Sequence, residues 1–568
     1  MEKNWQILPE MDQASKDSFP GMNEVVLQFL FNRGLKEKRE MEEFLNPDYD
    51  RDSNDPYLFH DMEKAVERIL KTKKGKAMIF GDYDADGVCA TAILFHTLKS
   101  LGMEVEKYIP FRETEGYGLN MKAVEWIIEQ KFNLVVTVDC GISNFEEIKT
   151  LMDNGIDVVV TDHHEEPPQL PPALAIINPS IRNSGYPFPY LCGAGVAFKL
   201  VQAIILKQEK EDYALKFPEG FDKWLLDLVA IATVGDMVSL LGENRMLVQY
   251  GLKVMAKTKR LGLQKMIETV NNFSGKIDSQ YLGWRIVPRL NAAGRMDHAS
   301  SAFYLLMADN EKEAEKLVSV LEDNNQKRQQ LTDSILKQAE AQADENEKII
   351  FAVGENWPAG VVGLVAGRLS DKYHRPALVI GQEGDKYVGS GRSIEEFNIT
   401  EALAESKEFL LRYGGHSQAC GFTVIGKENL GKFKEKMTFL AQEKLKDSIL
   451  QSSFRIEAEV NLSQIDFELL TELEKFEPFG EDNPKPLFAA LGVRIEQIQT
   501  VGADGKHLKV LASQNNKFHK FIGFSFGDWC ARLKMDDLID IIFELDANEW
   551  NGNRELQLKI IDLKLSKI

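Results

Sequence analysis

Cysteine is scarce in this chain of 568 residues. Cys89, Cys140, Cys192, Cys420 and Cys530 are odd in number, scattered, and form no CxxC pair. That argues against a disulfide framework and a zinc ribbon, and it suits a reducing, cytoplasmic compartment. No apolar run approaches the length of a membrane span, and Met1-Glu2-Lys3-Asn4-Trp5 lacks the basic and apolar regions of a signal peptide. A cytoplasmic protein with no membrane partner is therefore expected. Repeats of solenoid length are absent. Basic charge is also in short supply: 68 Lys and Arg face 88 Asp and Glu, a formal charge of -20. Such a balance argues against coating nucleic acid nonspecifically, although it allows a local basic groove or metal ions that supply the positive charge. A hydrophobic content of 44% is ordinary for a globular protein, and the length calls for two to four domains.

What the chain does have is a set of apolar, strand-like runs that end in acids or histidines. Ala77-Met78-Ile79-Phe80 runs into Gly81-Asp82-Tyr83-Asp84-Ala85-Asp86-Gly87, Leu134 to Val138 into Asp139, and Val158 to Thr161 into Asp162-His163-His164. Short apolar runs followed by helical patterns read as buried parallel strands, whose carboxyl ends are where open α/β sheets bind ligands. Carboxylates crowded there repel one another unless a cation lies between them. The Asp-x-Asp-x-Asp-Gly run resembles the start of an EF-hand, but Cys89, Ala90 and Ala92 offer no oxygen donors, so calcium is disfavoured. Helix capping explains one or two of these carboxylates but not three. Aspartate mixed with imidazole favours Mn²⁺ over Ca²⁺, with Mg²⁺ also allowed. Asp236, a lone acid in the apolar stretch Ala232 to Met237, is a plausible further ligand. Two metals bridged by a shared carboxylate fit hydrolysis of phosphate esters.

The runs divide the chain as follows. Residues 1–60 read as a helical adaptor, 61–309 as a parallel-sheet α/β domain, and 310–348 as a connecting helix without Gly or Pro. Residues 349–446 read as a second α/β domain, and 452–568, with strictly alternating runs such as Phe454 to Val460, as a small β-barrel.

At these residues the sequence resembles the DHH phosphoesterase superfamily, and more narrowly its RecJ type of single-stranded-DNA exonuclease. The resemblance continues through Pro288-Arg289-Leu290-Asn291-Ala292-Ala293-Gly294-Arg295, Gly389-Ser390-Gly391-Arg392-Ser393 and Gly414-Gly415-His416. It implies a catalytic DHH domain, a DHH-associated domain and a closing oligonucleotide-binding (OB) barrel. It also implies Asp82, Asp84, Asp139, His163 and Asp236 as ligands of Mn²⁺ or Mg²⁺, with Asp86 and His164 assisting catalysis. The implied activity is 5′→3′ digestion of single-stranded DNA in repair and recombination, by a monomer working with a helicase and a single-strand-binding protein. One departure is informative. Pyrophosphatases and small-oligonucleotide phosphodiesterases of the superfamily usually carry His four residues before the first Asp, where this chain has Met78. That favours the RecJ branch and weakens one of the two metal sites.

Substrate contacts are expected from Arg112, Arg289, Arg295 and Arg392, whose guanidinium forks suit phosphate oxygens, and from Ser390 beside Arg392. Surface ion pairing is the alternative for any single arginine in so acidic a chain. His416 either contacts phosphate, as the family implies, or is a hydrogen-bonded structural residue. In the barrel, Lys506, His507, Lys509, Phe518 and Trp550 are basic and aromatic candidates for gripping a strand. Two rivals remain: a phosphodiesterase of the same fold for short RNA or cyclic dinucleotides, and a non-catalytic nucleic-acid scaffold.

Overall fold

The structure, a computed structural model, describes residues 4–72, 75–210, 216–270, 276–448, 450–550 and 553–566. The side chain of Trp550, one of the barrel candidates, lies outside the described residues.

The first sheet contains β1 (Lys76–Gly81), β2 (Glu104–Tyr108), β3 (Leu134–Val138), β4 (Asp157–Thr161) and β5 (Ala175–Ile177), all parallel, in the order β2-β1-β3-β4-β5. Ala77, Ile79, Val136 and Val159 point into one apolar layer; Met78, Phe80, Val135 and Val160 point into the other. Helices cover both faces, which is why these strands are continuously apolar rather than alternating. The chain places β2 on one side of β1 and β3 on the other, so a crevice opens beyond the ends of β1 and β3. Register does the rest. Gly81 pairs with Val138, and Val138 with Thr161, so the next residues in each strand, Asp82, Asp139 and Asp162, leave the sheet side by side.

The acidic linker forms one helix, Glu311–Glu340, about 45 Å long at the usual rise per residue. It is not free-standing, because Val318, Leu321 and Ile335 are buried against the domains it joins. The second domain is a mixed sheet of β6 (Ile350–Glu355), β7 (Ala377–Glu383), β8 (Lys386–Arg392), β9 (Arg412–His416) and β10 (Ala419–Ile425), ordered β9-β10-β8-β7-β6. At the C-terminal end, β11 (Phe488–Val501), β12 (His507–Gln514), β13 (Lys517–Gly523), β14 (Leu538–Trp550) and β15 (Asn553–Leu565) close into a barrel in the order β11-β12-β13-β15-β14, with β14 returning to β11.

The stretch read as an adaptor is shared between neighbours. Asn4–Ile7 pairs in parallel with Ser453–Ile456, and the helix Glu24–Asn32 buries Val26, Leu27, Phe29 and Leu30 in the barrel's core with Phe476 and Phe488. Tyr49 and Phe59 belong instead to the core of the first domain. Two buried arginines fasten these parts together. Arg33 donates to Glu457 at 2.7 Å, to Asn483 and to the carbonyl of Pro484. Arg245, from the first domain, donates to the carbonyls of Phe44, Lys475 and Phe476 at 2.6–2.8 Å and lies over the Phe44 ring.

Removing one partner of a buried ion pair strands the other charge, at a cost of about 3–5 kcal/mol. Glu457→Ala should therefore lower the denaturant midpoint of the barrel transition, followed by the emission of barrel and N-terminal tryptophans. A midpoint equal to that of the unaltered chain would show that the carbonyls around Arg33 suffice.

Candidate metal centre and phosphate cleft

The turn after β1 delivers three carboxylates into the crevice. Gly87 permits it, since a Cβ there would lie 2.6 Å from the backbone oxygen of Asp82. Asp84 caps the helix Ala85–Ser100, accepting from the amides of Asp86 and Gly87, and Asn291 accepts from the amide of Ala85. Asp86 accepts the amides of Gly193 and Ala194 at 2.6 and 2.7 Å, the start of a second helix, Gly193–Lys210. Asp139 holds φ at +59°, the left-handed region that non-glycine residues seldom adopt. Gly193 accepts the carboxylate's close approach, because a Cβ there would be 2.5 Å from that of Asp139. Asp236 follows the helix Leu226–Gly235.

Donor atoms of Asp82, Asp84 and Asp139 lie within 4.8 Å of one another, as do those of Asp86, His163 and Asp236, and those of Asp139, His163 and His164. His163 Nε2 stands 3.1 Å from Asp139 Oδ1 and 3.6 Å from Asp236 Oδ2. All seven acids and histidines expected at the metal centre are thus brought together. Met78 is fully buried in the apolar layer.

Burial, compounded by neighbouring aspartates, raises Asp82, Asp139 and Asp236 well above the ordinary carboxylate range, and pushes Asp86 up to about 7. Burial and the adjacent His164 depress His163 to about 4, so its imidazole is neutral and free to ligate. For His164 burial acts downward, yet the Asp162 carboxylate 2.7 Å from Nδ1 outweighs it and raises the group to about 9. Asp162 also accepts the amides of Ile142, His163 and His164. Tyr117 completes this support: its hydroxyl donates to the carbonyl of Asp139 and lies 3.0 Å from His164 Nδ1. In the sequence Asp162 stands out only as one of the strand-end acids, and Tyr117 and Asn291 carry no individual role. Strand register shows what Asp162 does, whereas Tyr117 comes from a distant loop and Asn291 from the helix Val287–Met296, both far from the strand ends in sequence.

Do the residues fit divalent ions? Asp82 Oδ1, Asp139 Oδ1 and His163 Nε2 are buried without a hydrogen-bond partner. Orphaned acceptors at the ends of strands are costly unless a cation receives them. The donor set, carboxylate with one or two imidazoles, is that of Mn²⁺ or Mg²⁺ more than of zinc. They fit.

Across the crevice, the second domain offers a cleft of about 480 Å³ shared by Tyr83, Arg112, Tyr117, Ser390, Arg412 and Tyr413. Ser390 and Arg392 project from the same face of β8 towards the helix Ala359–Tyr373, where Gly363 leaves room: a Cβ would lie 3.1 Å from Ser390 Oγ. Arg392 donates to Ser390 Oγ and to the carbonyl of Gly391. Arg112 lies over the Tyr83 ring beside the metal turn. His416 reaches back across the crevice to within 3.7 Å of Glu165, next to His164. Arg295 donates to the carbonyl of Gly360, bridging the domains. Arg289 goes elsewhere: it pairs with Glu322 of the linker helix at 2.6 Å and turns away from the cleft.

Fold and site together define a phosphoesterase of the DHH type. Family models match in three places: the DHH family N-terminal domain over residues 76–233, the DHHA1 domain over 346–443 and the RecJ OB domain over 456–562. The single-stranded-DNA-specific exonuclease RecJ of Bacillus subtilis is 34% identical over 98% of this chain and 71% of its own length. That of Haemophilus influenzae is 33% identical over 89% of this chain and 91% of its own. RecJ of Thermus thermophilus in complex with Mn²⁺ superposes with a TM-score of 0.83 at 29% identity, covering 100% of this chain and 80% of that one. Its Mg²⁺ complex gives 0.77 at 27% identity, over 100% and 79%. The chain belongs to the RecJ family.

The pKa pattern sets a test. A carboxyl raised by folding stabilises the fold below its unfolded pKa and loses that contribution as pH rises through its folded value. For Asp86 this window runs from 3.8 to about 7. In EDTA, Asp139→Asn should therefore melt progressively higher than the unaltered chain as pH rises from 4 to about 7, because it removes one repelling charge. Adding Mn²⁺ at neutral pH should raise the melting temperature of the unaltered chain far more than that of Asp139→Asn. Parallel melting curves at every pH would refute the crowding of charge at this centre.

Proposed function

We propose that this protein is a divalent-metal-dependent exonuclease that hydrolyses phosphodiester bonds of single-stranded DNA from the 5′ end. One observation carries the reading: three interlocked ligand groups beyond the ends of adjacent parallel strands face an arginine–serine cleft on a separate domain. Ions held by Asp82, Asp84, Asp139, Asp86, His163 and Asp236 would supply Lewis acidity and lower the pKa of water at neutral pH. The chain's own residues do the positioning. Ser390 and Arg392 receive a terminal phosphate, with Arg112 closing over it from the first domain. His164, which contacts the cleft residue Tyr117, and His416, which follows Gly415 of the cleft wall, stand beside it and favour an anionic substrate. The Asp162 carboxylate keeps His164 protonated, and Tyr117 ties that imidazole to the backbone of Asp139.

A strand fed through such a cleft must continue past the metal centre, which calls for surface beyond the two α/β domains. The barrel supplies it, with Phe518 and Phe524 exposed on its surface. Action in repair and recombination, as a monomer receiving single strands from a helicase and a single-strand-binding protein, belongs to the same proposal. So does a cytoplasmic setting, which the unpaired state of all the cysteines supports. No helix among the described residues is long and apolar enough to cross a membrane.

Long single-stranded DNA, duplex DNA and short RNA should be compared in Mn²⁺ and in Mg²⁺. Preferred digestion of the long single strand supports the reading, and preference for short RNA establishes the phosphodiesterase rival. Asp139→Ala should abolish turnover at saturating Mn²⁺. Arg392→Ala should weaken 5′-phosphorylated strands more than 5′-hydroxyl strands, by about 1.5–3 kcal/mol for one charge-assisted contact. Equal losses would place Arg392 elsewhere along the strand.

A further inference from the structure

A second cavity, about 510 Å³, is lined by Gly235 and Met237, the chain neighbours of Asp236. Its most conspicuous side chain is Trp284, which is 79% exposed although it belongs to an ordered helical segment. Leu282–Ile286 forms a π-helical turn leading into the helix Val287–Met296. Leu282 and Ile286 are buried, so the turn is anchored while the indole faces outward. π-helical turns inside helices are often found at functional sites. Met237 lines the same cavity and is 71% exposed, turned out by a left-handed backbone (φ +56°) immediately after Asp236. Met237 thus directly follows a metal-centre aspartate, and Trp284 shares its cavity.

The lining is also cationic. Arg295 and Arg328 line it, and neither is paired with a carboxylate among the described residues. Arg295 spends one nitrogen on the carbonyl of Gly360 and Arg328 one on Asn325, while Arg328 Nε is buried with no partner. Glu481, at the far rim towards the barrel, is the sole acid in the lining. In a chain with a formal charge of -20, two arginines without an ion-pair contact among the described residues are a marked local exception. A flat apolar platform sharing a cavity with such a guanidinium matches a nucleobase linked to a phosphate, because every base has a stacking face and every linkage an anion. The cavity's volume falls within the range of small-ligand sites.

We infer that this cavity is a nucleotide subsite, in which one base of the substrate strand stacks on Trp284 against Met237 while its phosphate meets Arg328 and Arg295. The inference rests on the exonuclease reading, and it specifies where the strand goes after passing the metal centre on its way to the barrel. It assigns Trp284 a binding role that the ligand set and the terminal-phosphate cleft do not.

Kinetics on a single-stranded oligonucleotide in Mn²⁺ test it. Trp284→Ala should raise KM by about 5- to 100-fold, the effect of losing one stacked base, and Trp284→Phe should recover most of that loss. Arg328→Met should lower the slope of log affinity against log salt by about 0.7, one phosphate contact's share. Tryptophan emission gives an independent readout. Binding of the strand should quench the unaltered chain, and that quenching should be diminished in the active Trp284→Phe. A Trp284→Ala chain with normal KM, or quenching identical in Trp284→Phe, overturns this inference while leaving the exonuclease reading intact. An unaltered chain that digests no single strand overturns both.

Discussion

Mutual repulsion among carboxylates is the constraint around which this molecule is organised. Asp82, Asp86, Asp139 and Asp236 are held nearer to one another, and further from water, than free carboxylates would tolerate. Among the described residues the nearby positive charge is outweighed: His163 is itself kept uncharged, His164 is engaged by Asp162, and the pull of Arg112 on Asp82 does not offset burial. The scaffold keeps these groups close through rigid devices, including a parallel sheet buried on both faces, glycines where a Cβ would collide, and helix N-termini that accept Asp84 and Asp86. Such a site is stable only at the expense of the rest of the fold, and it is completed by cations from outside.

That arrangement also explains the division of labour between domains. The first domain concentrates negative charge, so it has little to offer a phosphate until ions arrive. The arginines that can greet the substrate stand mainly on the second domain and at its hinge, Arg392 and Arg412 on strands, Arg295 at the contact with Gly360. Positive and negative charge are thereby held mainly on opposite walls of one crevice. The linker helix fixes the distance between them, and its burial against both domains makes that distance a property of packing rather than of an exposed rod.

Much of this was legible from the residues. Apolar runs ending in Asp82, Asp139 and Asp162 announced parallel strands with a shared ligand end, because twofold burial leaves no polar positions in a strand. Alternation after Phe454 announced the barrel for the opposite reason, one face wet and one dry. What escaped were interactions with no local periodicity. Arg289 stands in a Gly- and Ala-rich motif beside Arg295, yet one of them pairs with Glu322 and the other bridges domains, a distinction made only by the direction each leaves the helix. The segment before residue 60 reads as an amphipathic helix, and no local pattern states that its apolar face completes a core more than four hundred residues away. Arg33 and Arg245, buried by carbonyl groups from remote loops, are equally silent.

That closure of the barrel core by residues from both extremes of the chain has a consequence for biosynthesis. Val26, Leu27, Phe29 and Leu30 emerge from the ribosome early, but Phe488, Phe521 and Phe543, the rings they share a core with, emerge only near the end. At typical rates of about 5–20 residues per second, the helix waits for tens of seconds with its apolar face uncovered. The two α/β domains are free to fold during that interval, while the N-terminal helix depends on chaperone cover or on provisional contacts. The order of synthesis thus allows the first α/β domain to assemble before the barrel exists.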